Sequence, residues 1–520
     1  MRKSPEEIKK RFQKCDARKS QWRDIYEDAY KYALPQRNLY DGYYEGNTPG
    51  QNKMNRVFDS TAIHSTHRFA NRIQSGIFPP GRPFCRLVPG EDIPEERAVE
   101  VQRVLDEYAK KMFDVMRQSA FDQAMGEFLL ELAVGTSVML VQPGDEINPI
   151  RYTAVPTFLI CFEEGPFGRV DTVYRRLKRS FNVLEQEFPD IQIPTSIRQK
   201  FQDDETKEIE LIEATYYSKE AGVYYYSICD FEGTEMLLNR TLKSFPWIIS
   251  RFSKISGEIY GRGPLLSALP DIRTINRTKE LTLKNASLTI GGVFTAADDG
   301  ILNPNSIQIV PGAIIPVARN GGPQGESLRP LPRTGDPQLS QMVINDLRMN
   351  IKQMLFDESL PPDNMSARSA TEIAERMKEL AQNLGSAFGR LINETMYPVI
   401  RRTLELMDEM GMIELPLKVN GLEVKVIPNA PLAMAQNLEK VQEVLNYMQI
   451  VQGMGPVGQM AVRQDKVLEY IADQMNIPAE LRTTPEEKME IQKQMMEMMQ
   501  QQQAQMEAQG GEPGTQDQVN

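Results

Sequence analysis

The sequence predicts an α+β fold that is mainly helical and contains several domains. The chain has 520 residues, of which 41% are hydrophobic and 25% charged, so it is long enough for several globular cores. β-branched and aromatic residues concentrate in short segments of the first half, as half-buried strands require. After residue 263 the pattern changes to long segments of helical period, separated by a Gly/Pro-rich stretch.

The first half begins with a helix start at Ser4-Pro5-Glu6-Glu7, where Ser4 can cap and Glu7 completes a capping box. This helix is predicted to run to Leu34, because Pro35 stops it. Composition and turn signals predict further helices at 59–76, 94–118 and 120–134. They predict strands at 85–88, 152–162, 170–178, 209–218, 223–230 and 245–252.

The second half is predicted to contain a helix over 264–290, interrupted early by Pro270, and a second helix over 338–355. Between them lies a segment rich in Gly, Pro and Asn with strand-like islands at 293–296, 306–310 and 313–318. A long helix follows over 371–410, with a bend expected before Pro398. Shorter helices are predicted at 432–451 and 457–475, and the Met/Gln-rich tail ends in a disordered composition over 511–520.

Composition excludes several classes of protein. The net charge of −11 argues against a surface that grips nucleic acid everywhere. The four cysteines are about seventy residues apart, so no zinc-ligand spacing exists and buried, reduced thiols are expected. The charged N-terminus lacks a signal-peptide core and no apolar run is long enough for a membrane span, so synthesis and assembly in a cytoplasm are expected.

Catalytic motifs are missing from the sequence. The chain contains no Gly-Lys dipeptide, which excludes a P-loop motor. The two histidines, His64 and His67, could share a helix face, but without a third ligand signal they are better interpreted as surface polar residues. Gly261-Arg262-Gly263 sits where a phosphate loop would lie, although a tight strand-to-helix turn is the favoured interpretation. Asp298-Asp299 is typical of a turn rather than a magnesium pair.

Charge is unevenly distributed. From Arg262 to Lys352 the sequence contains ten cationic and seven anionic residues, so this part has a net charge of +3 within an acidic chain. The two mildly basic helices of this part could lie against the phosphate backbone of DNA. The alternative is that their side chains of mixed charge form an ordinary solvent-exposed helix face. If DNA is the partner, the small excess predicts loose binding.

The order of these elements and several local strings resembles the portal, or head-to-tail connector, proteins of short-tailed bacteriophages. The strings are FANRIQSGIFPPGRPFCRL, the helix-to-strand segment FLLELAVGTSVMLVQP, YGRGPLLSALPDIRTINRTKE, SARSATEIAERMKELAQNLGSAFGRLINETMYPVIRRTLELM and TTPEEKMEIQKQMM. With the order of the elements between them, they cover most of residues 60–500. None is a catalytic fingerprint.

The resemblance implies a portal fold assembled as a ring, normally of twelve subunits. It implies a wing over 1–263, stem helices over 264–290 and 338–355, and a small α/β clip over 291–337 between them. It further implies a tunnel loop over 356–368, a long wing helix and connection over 369–431, a helical crown over 432–483, and a partly disordered tail over 484–520.

The resemblance also implies a function at the capsid vertex. Double-stranded DNA would pass through the ring's channel during packaging and ejection, and the clip would dock the terminase large subunit and later the tail adaptor proteins. Capsid and scaffolding proteins would be further partners, in the virion and, during assembly, in the host cytoplasm. No membrane, cofactor, metal or enzymatic activity is implied.

Candidate residues follow from charge and segment. The DNA-channel candidates are Arg273, Arg277, Lys279, Lys284, Arg348, Lys352 and Arg368. The tunnel-loop candidates are Phe356, Asp357, Glu358, Pro361, Pro362, Asn364 and Arg368. The clip-docking candidates are Asn303, Asn305, Arg319, Arg329 and Arg333.

Three other functions stay open on the sequence. The first is a structural adaptor or scaffold protein of the virion that oligomerises without passing DNA. The second is a nuclease subunit of a packaging complex, which the absence of clustered acidic or histidine residues disfavours. The third is an adaptable partner-binding surface formed by the Met-rich tail, against which disorder or a frayed helix is favoured.

Overall fold

The computed structural model describes residues 2–40, 53–90, 95–200, 207–291, 294–296, 328–330, 337–357, 382–414, 424–453 and 462–474, together with Met498. Within these ranges the chain is α+β and helix-rich, as the sequence predicts. The expected strands at 306–310 and 313–318, the Asp298-Asp299 turn and the tail over 484–520 lie outside the described residues, apart from Met498.

The N-terminal helix forms two pieces, α1 (Pro5–Lys19) and α2 (Arg23–Ala33), separated by one 3-10 turn. The predicted capping box is confirmed: the Glu7 amide donates to Ser4 Oγ and the Ser4 amide donates to Glu7 Oε2, both at 3.3 Å. The expectation of a single helix to Leu34 is therefore wrong at Ser20–Trp22, where a tighter 3-10 turn separates the two α-helical pieces.

An antiparallel five-stranded sheet forms the centre of the first half. Its strands follow in chain order as β4 (Ile160–Glu164), β5 (Val170–Ser180), β6 (Glu208–Ser218), β7 (Val223–Asp230) and β8 (Met236–Leu242). Helix α1 packs on this sheet through a cluster that includes Ile8, Phe12 and Tyr174. The strand β8 was not predicted, because its polar residues conceal the alternation.

A second sheet has the order β3-β2-β9, formed by Ile150–Val155, Thr136–Pro143 and Trp247–Arg251. The single strand predicted over 152–162 is therefore wrong. It is split between the two sheets at Pro156, which lacks a backbone N–H and precedes a 3-10 turn.

The largest hydrophobic core among the described residues contains side chains of three helices of the first half: α3 (Thr61–Ile77), α4 (Glu95–Gln118) and α5 (Phe121–Val134). The helical residues over 386–409 contribute to the same core. The strand β1 (Cys85–Pro89) lies at its edge and pairs with β12 (Val424–Pro428). Two short helices, α6 (Phe181–Glu187) and α7 (Thr195–Lys200), were not predicted, and they cover one end of the five-stranded sheet.

The predicted helices of the second half are confirmed as α8 (Pro264–Gly291) and α9 (Pro337–Met354). Helix α8 continues through Pro270, so the interruption expected there is absent. Just beyond the adjoining ends of the two helices, β10 (Phe294–Ala296) pairs with β11 (Leu328–Pro330) in an antiparallel ribbon. The ribbon brings those ends together, so α8 and α9 form an antiparallel hairpin.

The long helix predicted over 371–410 is interrupted at Gly385, which has φ +49° and follows a helical piece at 382–384. After it come α10 (Ser386–Leu391), a π-helical turn over Ile392–Met396 and α11 (Tyr397–Glu409). The π turn lies directly before Pro398, at the position of the expected bend. The helices α12 (Pro431–Gly453) and α13 (Gln464–Gln474) follow. Among the described residues, none of the helices combines the length and apolarity that a membrane crossing requires.

Candidate functional site

The turn before α8 fixes the start of the helical hairpin. Its three N–H groups are all used internally: Gly261 donates to Thr136 Oγ1 at 2.8 Å, Arg262 to the Ser253 carbonyl at 2.8 Å, and Gly263 to the Val134 carbonyl at 2.9 Å. No amide is left to hold a phosphate group. The favoured interpretation of Gly261-Arg262-Gly263 as a tight turn is therefore confirmed.

The two helices of the hairpin share a buried seam. Ile272 and Ile275 of α8 and Ile344 and Ile351 of α9 belong to one hydrophobic cluster, and each is at most 2% exposed. Their spacing places them on one face of each helix. Outside this seam, several large apolar side chains of the two helices are exposed in the part of the chain that the structure describes.

A single buried carboxylate joins both helices to the segment before α3. Asp59 accepts a hydrogen bond from Arg348 Nη2 at 2.7 Å and lies 3.6 Å from Lys279 Nζ. Asn276 reinforces the joint, because its Oδ1 accepts from the Phe58 amide at 2.7 Å. Burial works to raise the pKa of Asp59, but hydrogen bonds from Thr61 and Arg348 outweigh it, so this pKa lies below its ordinary value.

We expect Asp59→Asn to lower the stability of the chain by about 2–3 kcal/mol at neutral pH, since charge-assisted hydrogen bonds and a buried cation pairing are lost. Because the folded pKa is depressed, the stabilisation is present above the unfolded pKa and is lost as pH falls through the folded pKa. Thermal melting of the original chain and of Asp59→Asn across acid pH should therefore show their difference in stability disappearing below about pH 4. A difference that is constant with pH would contradict this account.

Most of the DNA-channel candidates have acidic partners in the same subunit. Arg273 pairs with Asp28, and both Arg277 and Lys284 pair with Glu280, at 2.7 and 2.6 Å. Lys279 and Arg348 belong to the Asp59 joint. Lys352 is exposed and forms no ion pair with a described residue, whereas Arg368 lies outside the described residues. The hairpin thus presents a nearly balanced charge, with Lys352 as its uncompensated cation among the described candidates.

Two of the tunnel-loop candidates are not in an exposed loop. Phe356 and Asp357 complete the end of α9, and Asp357 is only 1% exposed against α3. This corrects the expectation that the loop begins at residue 356, because the local hydrogen bonds extend the helix end through residue 357. The remaining candidates, Glu358, Pro361, Pro362, Asn364 and Arg368, lie outside the described residues.

The clip-docking candidates are represented by one backbone position. Arg329 lies in β11, opposite Thr295 of β10. The others, Asn303, Asn305, Arg319 and Arg333, lie outside the described residues.

The outer faces of the hairpin carry large apolar side chains that the sequence analysis did not single out. Met342 and Met349 of α9 are 72% and 69% exposed, and Ile290 of α8 is 87% exposed. Met342 and Met349 are seven residues apart and so share one face. Other exposed apolar residues of the pair are Leu281, Leu283, Val343 and Met354. A concentration of exposed apolar side chains on one helix pair is typical of an interface with another protein surface.

The described residues give no support to a metal-dependent enzyme. No group of three or more His, Cys, Asp or Glu side chains suited to a metal ion occurs among them. His64 and His67 are both exposed on α3, as predicted. Partial desolvation of the His67 ring, together with the neighbouring His64, lowers the pKa of His67 from its ordinary value.

The family model described as bacteriophage head to tail connecting protein matches residues 5–482. The probable portal protein of Bordetella phage BPP-1 is 24% identical over 494 residues, which cover 88% of this chain and 85% of that protein. The portal protein of Salmonella phage epsilon15 is 22% identical over 446 residues, which cover 80% of this chain and 76% of that protein. Among solved structures, a chain from the virion of a native gene transfer agent particle aligns with a TM-score of 0.34 and 12% identity, covering 80% of this chain and 91% of that one.

The family match extends over nearly the whole chain, and it includes the α+β first half, the helical hairpin and the helices α12 and α13. It confirms the resemblance that the sequence strings indicate. The chain belongs to the bacteriophage head to tail connecting proteins, the family of the phage portal proteins.

Proposed function

We propose that this chain is the portal subunit of a short-tailed phage, which assembles into a closed ring of twelve copies at the unique capsid vertex. The observation that carries the proposal is the antiparallel hairpin α8–α9, whose inner seam is buried while its outer faces expose Met342, Met349 and Ile290 to solvent. A heterologous contact that repeats about an axis closes into a ring when the rotation divides a full turn evenly, and neighbouring copies in such a ring would bury these faces.

In this proposal the ring's channel passes double-stranded DNA during packaging and ejection. The internal pairing of Arg273, Arg277 and Lys284 supports a shallow potential, because paired cations attract phosphate weakly. A channel of this kind holds DNA near its axis without trapping it. Catalysis is no part of the proposed role.

The parts of the ring follow the predicted segments. The wing comprises 1–263 and 369–431, and the stem comprises 264–290 and 338–355. The clip over 291–337 would dock the terminase large subunit and then the tail adaptor proteins, while the crown over 432–483 would lie inside the capsid. The tunnel loop would begin after Asp357 rather than at residue 356. Capsid and scaffolding proteins would be further partners; the ring would assemble in the host cytoplasm and lie at the capsid vertex of the virion.

A nonsense mutation early in the gene tests this function in the phage itself. Without the chain, we expect capsids that contain no nuclease-protected DNA, and supplying the chain in trans should restore packaging. Formation of DNA-filled heads without the chain would contradict the proposal. Malformed heads that nevertheless fill with DNA would instead favour the alternative of a scaffold or adaptor without a channel.

Lys352→Gln tests whether the uncompensated cation of α9 meets DNA. We expect rings of normal mass, because Lys352 is exposed and has no acidic partner among the described residues, together with a weaker dependence of DNA packaging on salt. The matched control is Lys110→Gln, which removes an exposed cation from α4. If DNA packaging depends on salt equally in the two variants, Lys352 does not contact DNA in the channel.

A further inference from the structure

The end of α9 has an unusual backbone. The Phe356 amide donates to the Gln353 carbonyl at 3.1 Å and the Asp357 amide to the Lys352 carbonyl at 2.7 Å, which is the hydrogen-bond pattern of a Schellman motif. The left-handed position of this motif normally holds glycine, but here it holds Phe356 at φ +54°. A non-glycine residue in this region costs about 1–2 kcal/mol, so the surroundings must impose it.

Helix α3 supplies those surroundings for Phe356. The phenyl ring stacks on Phe69 of α3 with centroids 6.2 Å apart, and it also contacts Phe252 at 6.4 Å. The Phe356 carbonyl accepts a hydrogen bond from Arg72 of the same helix. The ring and the carbonyl are therefore both fixed by groups outside α9.

The next residue is a buried carboxylate held by the same helix. Asp357 accepts from Ser65 Oγ at 2.7 Å and from Arg68 Nη1 at 3.2 Å. Burying an ionised carboxylate is costly unless such donors compensate it. The side chains of Ser65, Arg68 and Arg72 are spaced along one face of α3, so they form one continuous binding surface for the end of α9.

Helix α3 therefore contacts the hairpin at two points. At the first point Asp59, two residues before α3, pairs with Arg348 and Lys279. At the second point Asp357, nine residues after Arg348, pairs with Arg68 in the middle of α3. Both carboxylates are nearly inaccessible to solvent, with side chains 2% and 1% exposed. Any rotation of the hairpin relative to α3 must strain or break both joints.

We propose that α3 couples the orientation of the helical hairpin to the direction in which the chain leaves α9, with Asp59 and Asp357 as the two positioning residues. The contacts of Asp357 with Ser65 and Arg68 add to those of Phe69 and Arg72 in keeping Phe356 in its left-handed conformation. The contacts of both carboxylates hold the same helix, α9, so loss of the Asp59 contacts weakens those of Asp357. The reverse effect follows, because a coupling free energy between two sites is reciprocal. This inference rests on the proposed function, because the coupling bears on DNA passage only in a portal ring whose hairpin borders the DNA.

Amide hydrogen exchange on the purified full-length chain tests the coupling. In Asp357→Asn we expect the Phe356 and Asp357 amides to exchange about tenfold faster or more, because the motif opens locally. Asp59→Asn should accelerate the same two amides, although it changes no contact of Asp357. Conversely, Asp357→Asn should accelerate exchange in the turn of α8 around Lys279. Asp357→Glu, which keeps the charge, should restore part of the protection.

The matched control is Asp114→Asn, which removes an exposed carboxylate paired with Arg117 within α4, and it should leave all of these amides unchanged. The coupling is overturned if Asp59→Asn and Asp357→Asn each accelerate amide exchange only next to the substituted residue. It is also overturned if Asp357→Asn leaves exchange unchanged, as the control should. Exchange is measured on the chain whether or not it forms a ring. A failed ring assembly would therefore count against the proposed function, and an absent reciprocal effect against the coupling alone.

Discussion

Replacing Met342 and Met349 together by glutamate is expected to abolish ring assembly while leaving the subunit folded. Both side chains are exposed on one face of α9 in the single chain, so the substitution places charge where water already is. In a ring the same face would be buried, and each unpaired carboxylate would cost several kcal/mol on removal from water. Because every interface of a symmetric ring repeats the change, no closed assembly should survive.

Native mass by light scattering and far-UV circular dichroism measure the two parts of this prediction. The variant should elute as a monomer with the helix content of the original chain. The matched control is Ile147→Glu, the same type of change at an 80% exposed position between β2 and β3, outside the hairpin. Rings of unchanged mass from the double variant would show that this face of α9 is not an interface.

Gly261→Ala and Gly263→Ala are expected to destabilise the chain by about 3 kcal/mol or more, because overpacking against rigid backbone has nowhere to relax. A Cβ on Gly263 would lie closer than 3.0 Å to the Ala133 carbonyl group, and one on Gly261 closer than 3.0 Å to the Gly135 oxygen. These neighbours are backbone atoms at the junction of α5 and β2, so they cannot rotate away as a side chain would. The start of α8 would be displaced from the core.

Gly389→Ala provides the matched control for this pair. Gly389 lies within α10 and an added Cβ would meet nothing within 4 Å, so a neutral effect or a gain of up to about 1 kcal/mol is expected. Thermal unfolding of the three variants checks the ranking. A melting temperature unchanged in both Gly261→Ala and Gly263→Ala would contradict the tight packing of this turn.

Local patterns made the helices and most strands predictable. The capping box at Ser4 and Glu7 depends on residues three apart, and the start of α8 depends on Gly263-Pro264, so the sequence contains the whole signal. The split of 152–162 was visible in Pro156 but was outweighed by the β-branched residues on both sides. By contrast, the pairing of β1 with β12 joins segments separated by more than 300 residues, and no local pattern indicates it.

The candidate site was predictable in charge but not in pairing. The sequence places Arg348 and Lys279 on two basic helices, yet their partner Asp59 precedes α3 and is distant in sequence from both. The helical period of α9 predicts an amphipathic helix, but only the fold shows that Ile344 is buried while Met349 remains outside. Asp357 was expected to lie in a tunnel loop because the resemblance implies one over 356–368, whereas the contacts with α3 determine its burial.

Electron microscopy of the purified particle, combined with its native mass, tests the central claim most directly. The proposed portal ring predicts a particle of about twelve chains, near 700 kDa, with a central hole wide enough for the double helix. A compact dimer or tetramer without a hole would contradict it.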